Sequence, residues 1–531
     1  MSLNRHSRFE TYLRAVSVTN KYGRKWVRVA FFRPFFCPKP TFLTQNLRTM
    51  KKLHFLFLGL LFTGPLFAQN ASDVLRYSYL QPGGTARSLG AGNAFGALGA
   101  EFGAISQNPA GLALFRSSEL TLTPSLSFAN TSASLPGGTP FSDDKSKFGF
   151  DNIGLVFNTT PGGKKWKTFN FAIGYNRQAD YNRVVYYEGN APGTIMNGFF
   201  DEYQAGVSNP FGGDLAADAN AIYQDSEENL TYDFAGFENE TVNRSQAITT
   251  FGRMNEMAIS FAGNYDERLM VGATIGVPFV NYRIEGQYIE TDPTEAVPFF
   301  DRLVYTEYLR SSGVGVNLKL GMIYKVSQSF RLGAAFHTPT ALSLTDSYSN
   351  TFSYDYTDGN GPTRGDVLES PDGTFDYKLR TPWRASASAA VVISKMGFVS
   401  ADVEWVDYAA NRYNFTADIA SQDNQILERE VNNDIQRAYR QTMNVRLGGE
   451  LVLNDFRLRG GFNLLGKPED GATDFNTAFT AGAGVRGDAF FLDLGWRRGQ
   501  GLGSVQPYAN APVASTKTTT NDFLLTLGFK F

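Results

Sequence analysis

Apolar and polar side chains alternate with a period of two along much of the chain. From Phe523 to Phe531 every second residue is Phe or Leu, and the residues between them include Thr526 and Lys530. One apolar and one polar face is typical of a β-strand. The same alternation, with no charge on the apolar face, recurs at 269–279, 399–405, 445–453 and 490–497. The last three of these stretches carry Arg, Asp or Glu on the opposite face, as the wall of a wet lumen does.

The alternation predicts fourteen strands, and closed bacterial membrane barrels have an even number. We expect them at 119–134, 147–158, 166–188, 251–264, 268–290, 304–325, 329–345, 375–395, 398–418, 440–453, 456–466, 475–486, 489–499 and 519–531. Links after odd-numbered strands are long and those after even-numbered strands are short, which is typical of external loops and periplasmic turns. A soluble β-sandwich, the alternative, does not require this parity. The predicted fold class is all-β, a fourteen-stranded antiparallel transmembrane β-barrel.

The stretch MKKLHFLFLGLLFTGPLFA, residues 50–68, predicts a secretory signal peptide. Two lysines, an apolar core and a final small residue follow the order typical of exported proteins. The core is too short for a transmembrane helix, which needs about 20 residues. A buried helix is the alternative, although the Gly-Pro pair would break it. Residues 1–49 hold ten basic residues, one acidic residue and the only cysteine, Cys37. We interpret them as an over-extended start outside the mature protein; a genuine basic extension is the alternative.

Charge and composition argue against several classes of function. Removing residues 1–68 takes away twelve basic residues and one acidic residue, so the net charge changes from −2 to about −13. An acidic chain is a poor partner for nucleic acid. The remaining chain has no cysteine for a disulfide or thiolate metal site, and one histidine, His337. Its parity predicts that His337 faces the lumen. Hydrolytic catalysis would need a Ser/His/acid set, so we expect no enzyme activity, no metal and no cofactor.

The segment between the signal peptide and the first strand suits neither a regular helix nor a regular strand. Residues 83–113, GGTARSLGAGNAFGALGAEFGAISQNPAGLA, are mostly small, and an Asn-Pro step interrupts them. The lumen of a fourteen-stranded barrel is wide enough to leak small solutes unless something fills it. We therefore predict that residues 69–117 form a plug, or hatch, inside the lumen and that residues 118–531 form the barrel.

The chain resembles the FadL-type outer-membrane transporters of long-chain fatty acids and other hydrophobic compounds. The resemblance rests on the segment just quoted, on 313–340 and 379–408, and on the terminal Phe531. It implies a fourteen-stranded barrel, an N-terminal hatch and a kinked third strand that opens a gap in the wall. The hatch turn beside that gap would be formed by Asn108, Pro109 and Ala110. The apolar parity of the third strand changes after 176–182, where we expect the kink.

The resemblance implies uptake of hydrophobic small molecules, such as long-chain fatty acids, through a gated barrel with lateral exit. A carboxylate head group would need an inward-facing cation. The candidates are Arg177, Arg253, Lys319 and Arg331. Phe531 would be the insertion signal that the barrel-assembly machinery recognises.

The expected location is therefore the cell outer membrane. The expected partners are a fatty-acid-like ligand, outer-membrane lipid and the assembly machinery, with no nucleic acid, and we expect a monomer. Two alternatives use the same fold. One is an adhesion or surface-binding protein, which the acidic loop 190–249, with a predicted helix near 214–228, would suit. The other is a receptor for haem or another hydrophobic nutrient.

Overall fold

The computed structural model describes residues 73–161, 165–358, 361–415 and 422–531. The over-extended start at 1–49, the signal peptide at 50–68 and the first four residues of the predicted hatch lie outside the described residues. Within the described ranges, no helix is both long enough and apolar enough to cross a membrane.

The described residues form a closed wall of fourteen antiparallel strands, so the predicted fold class and strand number are confirmed. The strands are β1 (Glu119–Ser134), β2 (Phe141–Thr159), β3 (Trp166–Asp180, continuing as Arg183–Pro192), β4 (Thr241–Tyr265), β5 (Leu269–Thr291), β6 (Phe300–Lys325), β7 (Phe330–His337, continuing as Ala341–Asp358), β8 (Gly373–Arg380, continuing as Arg384–Ile393), β9 (Gly397–Asp407, continuing as Arg412–Asn414), β10 (Gln441–Leu453), β11 (Phe456–Gly466), β12 (Phe475–Arg486), β13 (Phe490–Val505) and β14 (Ala514–Lys530). Each strand pairs with the next, and β14 pairs with β1.

Helices occur in the N-terminal segment and in the external loops. They are α1 (Asp73–Ser78), α2 (Ala86–Gly90), α3 (Met196–Gln204), α4 (Gly213–Asp218) and α5 (Gln422–Ala438), with 3-10 turns at Phe102–Ser106, Pro109–Leu114 and Tyr408–Ala410. Short ladders pair Tyr223–Gln224 with Leu230–Thr231 and place Gly361–Thr363 and Leu368–Glu369 beside β7. The helix predicted near 214–228 is shorter than expected, because Asn220 adopts a left-handed φ of 59°, which stops a helix. The sequence analysis missed α3 and α5.

The wall strands expose their apolar side chains and bury their polar ones. On β1, Leu120 and Phe128 are each 41% exposed, whereas Thr121 and Thr123 are fully buried. This burial is the reverse of a soluble protein and is typical of a barrel that presents an apolar band to lipid. The long links lie at one end of the barrel and the short turns at the other, as the parity of link lengths predicts.

The predicted strand limits are wrong at the external ends. β4 begins at Thr241 rather than 251, and β7 continues to Asp358 rather than 345. Beyond the apolar band neither face of a strand meets lipid, so the period-two signal fades although the ladder continues. Interruptions also divide β7 and β8, which the alternation predicts as continuous. Pro339 and Pro382 lie there, and proline cannot donate to a ladder.

Aromatic clusters pack the external end of the barrel. Phe199 of α3 and Phe234 pack with Tyr305 of β6 and Tyr354 of β7. A second cluster joins Tyr77 of α1 to wall residues and to Val431 and Ile435 of α5. The loop between β3 and β4 and the loop between β9 and β10 are therefore packed on the barrel by buried apolar surface.

Candidate functional site

The N-terminal segment, residues 73–117, lies inside the barrel and is hydrogen-bonded to strands all around the wall. It accepts hydrogen bonds from Asn170, Asn176, Arg331, Ser400 and Thr480, and the N–H of its Ala86 donates to the hydroxyl of Thr526. Arg87 adds a bidentate ion pair to Glu450 of β10, with both N–O distances at 3.2 Å. Because charge-assisted bonds are stronger than neutral ones, Arg87 is a firm attachment of the segment to the wall.

Asn108 lies at the start of the Pro109–Leu114 turn and contacts β6. Its Nδ2 donates to the carbonyls of Gly96 (2.6 Å) and Met322 (3.1 Å), and its Oδ1 accepts from the N–H of Ala110 (3.1 Å). Wall glycines make this approach feasible. A β-carbon at Gly321 would collide with Asn108, and one at Gly272 would collide with the carbonyl of Pro109.

The turn lies against β5 and β6, where facing glycines leave room for its backbone. It also reaches β3, because Ala110 shares a buried cluster with Ala172 and the Leu112 and Phe115 carbonyls accept from Asn170. Its expected place beside the gap in the third strand stays a prediction. Phe102 also contacts this part of the wall, and its ring fills the space over Gly154 of β2 and Gly174 of β3.

The wall is discontinuous between β2 and β3. The two strands pair only from Thr159↔Phe169 to Asn152↔Asn176. Beyond that point β2 stays paired with β1, and the second part of β3 pairs with β4 alone. The interruption of β3 lies within 176–182, where the parity change predicts it.

The external part of β3 does not form part of the barrel wall but lies on its lumenal side. Tyr187 packs with Ala133 and Leu135, next to the inner face of β1. The neighbouring Tyr186 packs edge-on to Phe141 of β2, with ring centroids 5.3 Å apart. Phe148 of β2 lies beyond the last β2–β3 pair and is still 62% exposed, as a lipid-facing side chain is. The break therefore begins within the apolar band.

The N-terminal segment supplies part of the missing pairing. The N–H of Gln81 donates to the carbonyl of Gln178 (2.9 Å), and the N–H of Gly83 donates to that of Arg177 (2.8 Å). These carbonyls belong to β3 immediately beyond its last pair with β2. An unpaired backbone group away from water is costly, so this contact stabilises the break and couples the segment to it.

Side chains of β4 reach across the break to β2. The Arg253 guanidinium lies where a side chain at Gly149 would project, and its Nε donates to Asp180 (2.9 Å). Next to it, the Lys145 ammonium lies 3.4 Å from the centre of the Phe251 ring. Flexible cationic side chains thus fill the gap between β2 and the displaced part of β3.

A cavity of about 600 Å³ adjoins the break. Its lining runs from Arg76 and Tyr79 of the N-terminal segment to β13 and β14. Lys145 and Lys147 of β2 and Arg183 of β3 also line it. A smaller cavity of about 40 Å³ lies between the segment and the interruptions of β7 and β8, lined by Lys319, His337 and Glu404 among others.

Each of the four predicted cations is bonded within the protein. Arg177 pairs with Asp151 (2.9 and 2.6 Å), and both are buried. Arg253 donates to Asp180, the buried Lys319 pairs with Glu256, and Arg331 donates to the carbonyl of Leu98 (3.0 Å). His337 faces the lumen as predicted, with Nε2 2.8 Å from the carbonyl of Gln107. Phe531 is exposed, and its N–H donates to Ser118.

Lys145 and Lys147 were not among the cations predicted from the sequence. Lys147 makes no side-chain hydrogen bond or ion pair among the described residues, and it lines the larger cavity. Both lysines share the inward parity of Gly149 on β2. The alternation in DKSKFG, residues 144–149, places both lysines on one face of a strand. The predicted strand began at 147, however, and left residues 144–146 in a loop.

No protein-family model matches the chain, and no curated protein matches it. In structure it is similar to a FadL homologue of Pseudomonas aeruginosa, with a TM-score of 0.52 and 12% sequence identity, covering 86% of this chain and 100% of that chain. The toluene transporter TodX of Pseudomonas putida gives a TM-score of 0.49 at 13% identity, over 85% of this chain and 99% of that chain. TbuX, a toluene transporter of Ralstonia pickettii, gives 0.43 at 14% identity, over 85% and 98%. At such identities the first similarity concerns architecture, and the chain has the fold of the FadL-type outer-membrane transporters.

Proposed function

We propose that this protein takes up hydrophobic small molecules across the outer membrane and releases them sideways between β2 and β3. The observation that carries the proposal is the break itself, which begins within the apolar band and adjoins a cavity of about 600 Å³. A cavity of that size suits a ligand of moderate length. Lateral release spares an apolar ligand from crossing the aqueous lumen.

The proposed ligand is a long-chain fatty acid or a similar amphipathic molecule. The cavity lining combines apolar and aromatic side chains, such as Leu75, Tyr79 and Ile284, with polar and charged ones, and it includes Lys145 and Lys147 of β2. A carboxylate is attracted to an ammonium that has no carboxylate partner of its own. Lys147 is therefore a better head-group contact than Arg177, which Asp151 already neutralises.

The proposed gate is the N-terminal segment. Gln81 and Gly83 are bonded to β3 at the break, whereas the turn of Asn108, Pro109 and Ala110 is held on β5 and β6. A shift of the segment would change both contacts together. We assign the turn a gating role through the position of the segment, because it does not itself touch the break.

Uptake into proteoliposomes tests the proposal. The purified barrel, with a fluorescent long-chain fatty acid outside and a fatty-acid-binding reporter inside, is expected to give saturable uptake that unlabelled fatty acid inhibits. A monoaromatic hydrocarbon serves as a second competitor and tests the breadth of the ligand class. Uptake no faster than in protein-free vesicles would contradict the proposal.

The alternative of a haem receptor gains no support from the histidine. The half-buried ring of His337 lies against the N-terminal segment, with Nε2 bonded to the carbonyl of Gln107. An iron ligand needs a free ring nitrogen that faces the ligand. We therefore keep hydrophobic uptake as the proposed function.

A further inference from the structure

The outer face of the barrel carries a groove of about 660 Å³ on the external parts of β6 to β9. Its apolar side is formed by Val314 and Val316 of β6, which are 46% and 53% exposed, and by Ala341 of β7. Its other side is formed by Lys378 and Arg380 of β8, by Arg412 of β9 and by α5. This groove faces away from the lumen and has no part in the proposed transport route.

The three cations of the groove lie together on neighbouring strands. Arg380 is directly opposite Arg412 in the ladder, and Lys378 lies one outward position further along β8. Like charges directly opposite each other destabilise a strand pair. Neither Lys378 nor Arg380 makes a side-chain hydrogen bond or ion pair with any described residue, and Arg412 donates only to the carbonyls of Ala409 and Asn411.

One carboxylate lies at the edge of the groove. Glu428 of α5 accepts from the N–H of Phe415 (3.0 Å), so it is used in holding the helix against β9. Among the described lining residues the balance is three cations to one anion. An external anion that contacts Arg380 and Arg412 together would relieve their repulsion.

Aromatic residues indicate the depth of the groove in the membrane. Trp383 packs at a tilt against Trp405 and Phe336, with ring centroids 4.3 and 5.9 Å apart. Tryptophan is enriched at the level of lipid head groups. The cations lie on the external side of this aromatic group, since Arg380 precedes Trp383 on a strand that runs from the external loop inward. Val316, Leu318 and Leu320 continue down β6 into the apolar band.

We propose that this groove binds a phosphorylated glycolipid of the outer leaflet. A phosphate between Arg380 and Arg412, with Lys378 beside it, would receive charge-assisted hydrogen bonds from planar guanidinium groups. An acyl chain would lie over Val316 and continue along the apolar stripe of β6. The ligand is bound on the outer wall, so the proposal does not depend on the transport function.

Lipid binding to the purified full-length mature barrel tests the assignment. The probe is bis-phosphorylated lipid A, titrated in detergent and followed by native mass spectrometry. We expect Arg380→Gln with Arg412→Gln to weaken binding about tenfold or more, the size of one lost charge-assisted hydrogen bond. The matched control is Arg498→Gln with Lys517→Gln, two exposed cations on β13 and β14, which should leave binding unchanged.

Two further experiments test the phosphate groups of the ligand and the space in the groove separately. Enzymatically dephosphorylated lipid A should bind about tenfold more weakly than the intact lipid, and inorganic phosphate alone should not compete at equal concentration. Ala341→Trp keeps every cation but fills the groove, and should also reduce lipid A binding. Equal binding by the Arg380/Arg412 variant and the wild type, or by intact and dephosphorylated lipid, would overturn the proposal. Heat-modifiable migration on a gel establishes that each variant is folded.

Discussion

Arg253 of β4 lies against Gly149 of β2, although these two strands are not neighbours in the sheet. The contact exists because β3, which separates them elsewhere, has moved inward beyond Asn176. A flexible side chain therefore occupies the place of a missing strand pair. Side chains move faster and at lower cost than backbone ladders, so this position suits a wall that opens without unfolding.

Replacing Gly149 with leucine should reduce hydrophobic uptake. The added side chain would occupy the space of the Arg253 guanidinium and project into the passage between β2 and β3. The ladder between β1 and β2 would remain, so heat-modifiable migration should not change. Initial rates of fatty-acid uptake into proteoliposomes measure the effect, which we expect to be about tenfold.

Gly460→Leu is the matched control for this change. Gly460 is an exposed wall glycine on β11, and a β-carbon there would meet its nearest neighbour, the carbonyl of Thr480, at 4.0 Å. Uptake by this variant should equal that of the wild type. Equal rates for the Gly149 variant and the Gly460 variant would remove the gap from the transport route.

Asn108→Ala should loosen the N-terminal segment while the barrel stays intact. The change removes three hydrogen bonds, one of them to Met322 of β6, and leaves buried backbone groups unpaired at about 1–3 kcal/mol. We expect larger or more frequent ion currents in planar bilayers. Asn130→Ala is the control, because the half-buried Asn130 side chain donates to Asp144 alone among the described residues. Currents identical to the wild type would show that Asn108 does not hold the plug.

Arg177→Met and Lys147→Met should separate structural from ligand-binding cations. Losing Arg177 leaves the buried Asp151 without its cationic partner, at about 3–5 kcal/mol, so the temperature of gel heat-modification should fall. Losing Lys147 should leave that temperature unchanged and reduce the preference for a fatty acid over the corresponding alcohol. The reverse result would restore Arg177 as the head-group contact.

Glu290→Ala should release the loop between β3 and β4. The buried Glu290 carboxylate accepts from Thr194, from the N–H of Ile195 (3.1 Å) and from Tyr288 (2.6 Å), and so fixes the start of that loop. Chymotrypsin should cut the aromatic-rich loop faster in the variant than in the wild type. Glu285→Ala, at an exposed site on the same strand, should not change the rate. A cleavage rate that Glu290→Ala leaves unaltered would place the anchoring elsewhere, in the aromatic cluster around Phe199.

Alternation alone predicts the wall, because lipid on one side and water on the other enforce a period of two wherever a strand lies in the apolar band. The interruption of β3 is also visible, since the parity changes between Tyr175 and Val184. Contacts across the lumen are not predictable this way. The contact of Asn108 with β6 depends on Gly272 and Gly321, which face each other in the ladder and allow its close approach.

The partners of buried charges could not be predicted from the sequence for a similar reason. Arg177 and Asp151 come together across the discontinuity in the wall, where a bulge near Pro124 turns Asp151 inward. A bulge shifts parity by one residue and has no fixed sequence signature. The cations that line the cavity were likewise hidden, because Lys145 precedes the predicted start of β2.

The central claim is that ligand leaves through the break between β2 and β3, and reversible closure of that break tests it most directly. Cysteines replace Gly149 and Arg253 in a chain expressed from Gln69, so that Cys37 is left out, and a cleavable bifunctional thiol reagent joins them. A second pair, Phe157→Cys with Phe171→Cys, joins β2 to β3 within their paired region, where these residues are direct partners in the ladder. We predict that cross-linking the first pair stops fatty-acid uptake, that reduction restores it, and that cross-linking the second pair has no effect. Undiminished uptake through a fully cross-linked break would contradict the account.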